Sequence, residues 1–384
     1  MPLILADLEV PATGLRGFTV IDSLVAGRAM GGTRMTATVS PAELGRLARQ
    51  MTLKLALAGL SIGGAKAGIV SDLPPGRQRD ARLRSFGQVV APLLHGGVYL
   101  GTDVGVSYRD RAVIFDAAGY DVAAAGLDRP LPCSWATLWD SCADITGHGV
   151  AEATRAAVEQ MGIADRRLRV TIQGFGTVGR GAAKRLAQLD FLVVGVADRL
   201  GTVSAATGLP LPELLAATDP SGAIDRQLLP SWVDASSAPE AWLDVDSDVL
   251  VLAATGGAVR ADNVHRVSAR VLVEGANGPC TDDAILALFG AGVPVVPGIV
   301  ANCGGAMVTG LVLTGEVPTA GDTATLVREL YDRVGTQVRT RLAEVFHGAG
   351  SARSPLPVVA IRMGEELARA STMAPTLASA AQAV

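Results

Sequence analysis

Lysine is almost missing from this chain of 384 residues. Of its 33 basic residues only Lys54, Lys66 and Lys184 are lysines, and the rest are arginines. Aromatic residues are scarce as well (7 Phe, 4 Trp, 4 Tyr) against 45 glycines, so Trp135, Trp139, Trp232 and Trp242 are read as packing groups rather than a stacking platform. Four cysteines, Cys133, Cys142, Cys280 and Cys303, make no disulfide framework in a chain this long, and no CxxC pair suggests zinc. Cys280 and Cys303 are expected to be buried thiols, not nucleophiles. His95, His148, His265 and His347 lack metal-ligand spacing, so no metal is expected. No basic block interrupts a net charge of −4, which argues against nucleic acid as a partner because phosphate binding needs clustered Lys and Arg.

No long uninterrupted apolar run is present either. The most apolar stretch, Ala291–Thr314, contains Pro294, Pro297, Asn302 and five glycines, and reads as strand, loop and helix start rather than a membrane span. The opening MPLILADLEV has no basic n-region and meets an acid at Asp7, unlike a signal peptide. With 49% hydrophobic and 18% charged residues the chain has ample core material, and its length suggests two domains. The expected class is a soluble, cytoplasmic protein without a membrane partner.

Two of the three lysines stand twelve residues apart in a chain that otherwise uses arginine. Lysine loses its proton when buried or crowded by another cation, whereas arginine effectively does not, so the pair suggests a chemical need for an amine. Lys54 falls within a predicted helix: Ser40-Pro41-Ala42-Glu43 has capping-box form with Pro at the first turn, and Leu44, Leu47, Ala48, Met51, Leu55 and Ala58 follow as one stripe. Lys54 lies at the edge of that stripe. Gly59 ends the helix, and Ser61–Gly68, carrying Lys66, reads as a glycine-rich turn into Ile69-Val70. A predicted strand Val98–Leu100 ends at Gly101-Thr102-Asp103, which puts a carboxylate beside glycine at a strand end.

Gly126–Pro132 suggests a hinge. Beyond it a helix is predicted near Ile145–Gly162, then a βαβ unit: strand Arg169–Gln173, helix Ala182–Leu189 and strand Phe191–Ala197. Further strands are predicted at Asp248–Leu252, Arg270–Val273 and Val293–Val296, giving a parallel sheet covered on both faces. Helices at Thr323–Phe346 and Pro357–Ala370 precede a frayed Ala/Ser-rich end. Between the first βαβ strand and its helix, Gly174-Phe175-Gly176-Thr177-Val178-Gly179 forms G-x-G-x-x-G, with Asp198 following 24 residues after Gly174. That context is the dinucleotide fingerprint, in which glycines let pyrophosphate reach a helix N-terminus. Asp198 as acceptor for a ribose 2′-hydroxyl favours NAD. Arg199 beside it leaves NADP open.

Several blocks occur together in order: Gly31-Gly32-Thr33-Arg34, Met51-Thr52-Leu53-Lys54, Gly63-Gly64-Ala65-Lys66-Ala67-Gly68-Ile69, Gly101-Thr102-Asp103-Val104-Gly105, Thr146-Gly147-His148-Gly149-Val150, the fingerprint, Glu274-Gly275-Ala276-Asn277-Gly278-Pro279 and Asn302-Cys303-Gly304-Gly305. Over residues 17–315 this set resembles the glutamate/leucine/phenylalanine/valine dehydrogenases. The resemblance implies an α/β chain of two domains: an N-terminal α/β substrate domain (1–130, completed by about 330–384) and a Rossmann-type dinucleotide domain (131–329). It implies NAD(P)-dependent oxidative deamination of an α-amino acid, or the reverse amination with ammonia, and a homo-oligomer. By resemblance Lys54 holds the substrate carboxylate, Lys66 and Asp103 are catalytic, and Gly32 belongs to the substrate site. Thr146, Ala254, Thr255, Asn277 and Asn302 fall near the nicotinamide or its ribose. Two lysines in one cleft are expected to depress each other's pKa, and a nearby carboxylate to relay protons.

The departures bear on the substrate. Glutamate-specific members carry a lysine where this chain has Met30, and a serine where it has Thr309, so an apolar side chain is expected. The Glu274–Pro279 block is nearer the glutamate branch. Ala65 replaces a usual third glycine, Leu55 a common asparagine, and the chain starts later than typical members. The alternatives are a glutamate dehydrogenase and a catalytically idle NAD-binding regulator, against which Lys54, Lys66 and Asp103 speak.

Overall fold

The computed structural model of the chain describes residues 2–122, 131–163, 167–317 and 321–381, with the backbone alone for residues 352 and 373–381. The predicted hinge at 126–132 therefore lies largely outside the described residues, as does part of the Ala/Ser-rich end. Elements follow in chain order as β1 (Ile4–Val10), β2 (Leu15–Ile21), β3 (Ala29–Thr36), α1 (Pro41–Leu57), β4 (Gly63–Val70), α2 (Arg77–His95), β5 (Val98–Thr102) and α3 (Tyr108–Ala118). Next come α4 (Trp135–Ser141), α5 (Ile145–Gln160), β6 (Arg169–Gln173), α6 (Thr177–Gln188), β7 (Leu192–Asp198), β8 (Gly201–Ser204), α7 (Leu211–Ala216), β9 (Asp234–Ser236), β10 (Val249–Leu252) and β11 (Val271–Glu274). The chain ends with α8 (Asp282–Gly290), β12 (Val295–Val296), α9 (Gly298–Ala301), α10 (Gly304–Thr314), α11 (Thr323–Ala352) and α12 (Leu356–Ala381).

Two compact units result, one of residues 1–135, 306–321 and 363–384, the other of 136–305 and 322–362. The return to the first unit thus begins at 306 rather than near 330. Residues 322–362 stay with the second unit because α11 packs on α5, where Arg339 reaches the buried Glu152.

The first unit holds a five-stranded sheet in the order β1-β2-β4-β3-β5, with β3, β4 and β5 mutually parallel and β2 antiparallel to β4. Gly63–Val70 is its central strand and not a turn. The glycines serve helix packing: a Cβ at Gly64 would lie 2.3 Å from the Thr52 backbone nitrogen, and one at Gly68 2.8 Å from Leu44 and Val39. Small residues on β4 let α1 lie directly on the strand, over a core of Phe18, Val20, Val39, Leu44 and Ala48. At the start of α1, Ser40 Oγ accepts from the Glu43 N–H and Pro41 occupies the first turn, but the Glu43 carboxylate takes Arg34, so half of the expected capping box is formed.

The second unit holds a seven-stranded sheet in the order β12-β11-β10-β6-β7-β8-β9. Its first five strands are parallel, and β8 and β9 continue it as antiparallel ribbons. The expected wholly parallel sheet is corrected at this edge, where the short connection after Asp198 allows only a hairpin. β6 lies between β7 and β10, so the strand order reverses there and a crevice opens at the carboxyl ends. Trp242 packs in this core while Trp232 is 53% exposed, so packing does not account for every tryptophan. Among the described residues no helix is long and apolar enough to cross a membrane, and no three His, Cys, Asp or Glu side chains group as metal ligands.

Candidate active site and dinucleotide site

Lys66 sits in the middle of β4, where Val20 of β2 is its registered neighbour. Within the register running from Met30–Gly64 to Thr33–Ala67, Gly32 of β3 falls opposite it, and Gly101 of β5 is paired with Gly32. The room that the two glycines of that row leave is filled by neighbours, the Tyr99 ring against Gly101 and Asp103 against Gly32. A Cβ on Gly32 would lie 3.0 Å from the Asp103 Cβ and 2.5 Å from the Thr102 carbonyl oxygen, so only glycine leaves Asp103 its place. A turn closed by the Val106 N–H to the Asp103 carbonyl then fixes the carboxylate. Gly105 takes φ +77° in that turn against the Met35 carbonyl, a conformation and an approach that suit glycine alone.

The Lys66 Nζ stands 2.7 Å from Asp103 Oδ2, and the same oxygen accepts from Arg34 Nε at 3.3 Å. Arg34 also donates to Glu43 Oε1 at 2.5 Å. Burial pushes the Asp103 carboxyl up, but Lys66, the Val104 N–H and Arg34 outweigh it and hold it below the usual carboxylate range. The carboxylate expected near Lys66 is thus Asp103, in direct contact with it. Lys54 is half-buried on α1, two residues beyond the Thr52 that covers Gly64. Met30 is 2% exposed and lies on the Lys66 face of the sheet, one residue pair along, between Gly64 and Tyr99. Thr309 is buried on α10, next to Gly310, which is against Leu60. Arg34 was visible in its sequence block, but its reach to Asp103 follows only from the β3–β5 register.

In the second unit the fingerprint glycines divide their work. Gly174 has φ +97° and faces Ala254, where a Cβ would lie 2.6 Å from the backbone nitrogen. A Cβ at Gly179 would fall 1.9 Å from the Gly174 carbonyl oxygen, so it sets the approach of α6 to the loop. A Cβ at Gly176, the N-cap of α6, would meet nothing within 4 Å. That open space, with the first-turn amides of Thr177 and Val178 beside it, fits a dinucleotide pyrophosphate. Phe175 is buried beneath the loop. Ala254, Thr255 and Asn277 are exposed at the carboxyl ends of β10 and β11. Thr146 Oγ1 accepts from the Gly305 N–H at 3.1 Å, and Asn302 Nδ2 donates to the Gly275 and Ala276 carbonyls at 3.2 and 3.0 Å. Gln173, at the end of β6, was not singled out in the sequence, and its buried Oε1 has no hydrogen-bond partner among the described residues.

Asp198 is not the free acceptor expected. Arg226 Nη1 and Nη2 hold its two oxygens at 2.6 Å each, and the Ile224 and Leu200 N–H groups donate at 2.6 and 2.8 Å. Burial raises its pKa, but these donors outweigh that and lower it. Arg199 is exposed and 3.7 Å from Asp219. Cys280 and Cys303 are buried, and burial beside Glu274 pushes the Cys280 thiol up, away from nucleophilic use.

Residues 141–343 match the model of the Glutamate/Leucine/Phenylalanine/Valine dehydrogenase family, and residues 7–120 match its dimerisation domain. The chain is 33% identical to glutamate dehydrogenase A2 of Halobacterium salinarum over 73% of its own length and 67% of that protein's. It is 34% identical to the NADP(+)-dependent glutamate dehydrogenase of Pyrobaculum calidifontis over 76% and 71%. The crystal structure of the hetero-hexameric glutamate dehydrogenase of Thermus thermophilus superposes with a TM-score of 0.77 at 27% identity, covering 96% of this chain and 89% of that one. With both parts matched in order and relatives above 30% identity along most of its length, the chain belongs to the Glu/Leu/Phe/Val dehydrogenase family.

Proposed function

We propose that this chain, an amino-acid dehydrogenase by family, interconverts an L-α-amino acid of apolar side chain with its 2-oxo acid and ammonia. It is an oxidoreductase acting on CH–NH2 donors with NAD or NADP as acceptor. The single observation carrying the site assignment is the buried Lys66–Asp103 pair beside the Gly32–Gly101 row. Lys54 anchors the α-carboxylate. Lys66 donates from Nζ to the substrate carbonyl oxygen, and Asp103 takes up and returns protons through the 2.7 Å contact as the carbonyl becomes an imine. The nicotinamide supplies or accepts the hydride when bound in the second unit. Gly174, Phe175, Gly176, Thr177, Val178 and Gly179 hold the pyrophosphate, with Thr146, Ala254, Thr255, Asn277 and Asn302 around the nicotinamide ribose.

Met30 supports the apolar preference. A buried thioether on the Lys66 face offers no countercharge to a second carboxylate. The second reading is a glutamate dehydrogenase, favoured by the names of the relatives. Amination of a panel of 2-oxo acids with ammonia and NADH or NADPH decides. Apolar acids are expected to lead 2-oxoglutarate; the reverse order supports the glutamate reading, and no turnover of any acid supports the idle regulator. A homo-oligomer is supported by the dimerisation-domain match and by exposed Leu3, Ile4 and Leu5 at the β1 edge, and light scattering tests it. We propose a cytoplasmic location, which cell fractionation tests.

A further inference from the structure

The segment after β7 folds back on the fingerprint loop. A Cβ at Gly222 would lie 2.7 Å from the Phe175 carbonyl oxygen and 3.0 Å from the Gly176 Cα, so Asp219–Arg226 lies against the loop. From there Arg226 closes on Asp198 in a bidentate fork. A carboxylate has about four acceptor sites. Here Arg226 Nη1, Arg226 Nη2, Ile224 N and Leu200 N fill them all, and the Asp198 side chain is 2% exposed.

We propose that Arg226 sets the dinucleotide preference of this chain by sequestering Asp198, so that a 2′-phosphorylated adenosine ribose is bound at least as well as a free 2′-hydroxyl. The inference rests on the second unit binding a dinucleotide. An unpaired acid at the end of this strand selects against a 2′-phosphate in two ways: it hydrogen-bonds the hydroxyl, and its charge repels the phosphate. Both effects are cancelled when the acid is saturated and paired. Arg180 donates to the Asp219 carbonyl at 3.0 Å, and Arg199, 63% exposed, is 3.7 Å from the Asp219 carboxylate. Arg180, Arg199 and Arg226 balance Asp198, Asp219 and Asp225, so no net negative charge is left to repel a phosphate, and exposed Arg199 is placed to donate to one.

Calorimetric binding of NAD+ and NADP+ to the full chain tests this without turnover. NADP+ is expected to bind at least as tightly as NAD+; tighter NAD+ binding overturns the proposal. Failure to bind either dinucleotide overturns the dinucleotide reading and the proposal with it. Arg226→Met frees the carboxylate and is expected to shift the Kd ratio toward NAD+ by about tenfold or more, the scale of one charge-assisted hydrogen bond. An unchanged ratio in folded Arg226→Met overturns the assignment. Should that variant not fold, Asp198→Asn separates the readings. It leaves NAD+ affinity within about threefold if Asp198 does not touch the ribose, whereas a larger selective loss of NAD+, approaching the roughly tenfold value of such a contact, overturns the proposal.

Discussion

Lys66 and Asp103 form a 2.7 Å ion pair in which the carboxylate is shared with Arg34 at 3.3 Å. Neighbouring strands bring the three side chains together, and the missing Cβ of Gly32 leaves Asp103 its place among them. Since two cations hold the carboxyl below its usual range, Asp103 is ionised at neutral pH. In the proposed reaction such a pair would pass a proton between nitrogen and oxygen.

Lys66→Ala is expected to lower kcat by about 10²–10⁴-fold, the contribution of a positioned acid–base group. NADH affinity should be nearly unchanged, because the dinucleotide residues belong to the other unit. Asp103→Asn should behave alike, keeping shape while losing the relay. Steady-state kinetics and NADH titration check both, and retention of more than about a tenth of kcat by Lys66→Ala is incompatible with that range. Asp103 also predicts the acid limb of the wild-type pH profile. A carboxyl held below its ordinary value of about 3.9 loses its charge only under that pH, so no Asp103-dependent fall is expected between pH 5 and 8.

Periodicity and punctuation in the sequence were enough to place α1 with its Ser40 cap, the βαβ run from Arg169 to Asp198 and the long tail helices. The turn expected at Ser61–Gly68 is strand from Gly63 onward, since glycines normally mark turns but do not do so at this position. Here they mark a strand that a helix covers at backbone distance, a reason invisible without knowing that α1 packs there. The same limit applies to charge partners. Lys66 and Asp103 were legible individually, but Arg34 and Arg226 take their roles from strand register and a returning loop, which local sequence does not encode.

Glu152 predicts how acid affects the second unit. Its side chain is fully buried on α5 between Arg185 at 2.6 Å and Arg339, with His148 at 4.0 Å. Burial would raise its pKa, but the two arginines outweigh this and lower it. A lowered carboxyl contributes stability that is present above its unfolded value of about 4.3 and lost as pH falls through the folded value. Glu152→Gln is expected to cost about 2–3 kcal/mol at pH 7, somewhat less than a wholly buried pair because both arginines are partly exposed. That corresponds to about 5–10 °C in the melting temperature of the second unit. The gap should begin to narrow only as pH falls below about 4.3 and close once wild type is protonated at its lowered value. Calorimetric scans over this range check it, and a gap that widens with acid reverses the sign.

Two glycines of the first unit predict opposite outcomes. Gly64→Ala forces a Cβ to within 2.3 Å of the Thr52 backbone nitrogen, where no side chain can move aside. Overpacking of that kind costs about 1–3 kcal/mol or more. Gly45 lies within α1 with nothing within 4 Å of its Cβ position, so Gly45→Ala should stabilise by about 0.5–1 kcal/mol through helix propensity. Denaturant titration of both variants measures the contrast. A mild effect at Gly64 would mean that α1 does not press on β4 as described.

On the proposed reading, substrate choice turns on Met30. It is buried on the Lys66 face of β3, beside Gly64 and Tyr99, where a substrate side chain reaching past Lys66 meets a thioether. A second carboxylate there loses its hydration without a countercharge, which costs several kcal/mol. Arg34 is committed to Glu43 and Asp103 and does not serve as the distal anchor. Thr309 adds at most one neutral hydroxyl. Apolar 2-oxo acids should therefore exceed 2-oxoglutarate in kcat/KM by at least ~10²-fold, about 2.7 kcal/mol in activation free energy. Met30→Lys should narrow or reverse that ratio by giving the distal carboxylate a partner, while Met30→Leu should keep the wild-type order. A melting scan beside the kinetics separates a specificity change from unfolding, since a lysine at a buried strand position is itself destabilising. Wild-type preference for 2-oxoglutarate, or an equal effect of folded Met30→Lys on both substrates, removes Met30 from this role.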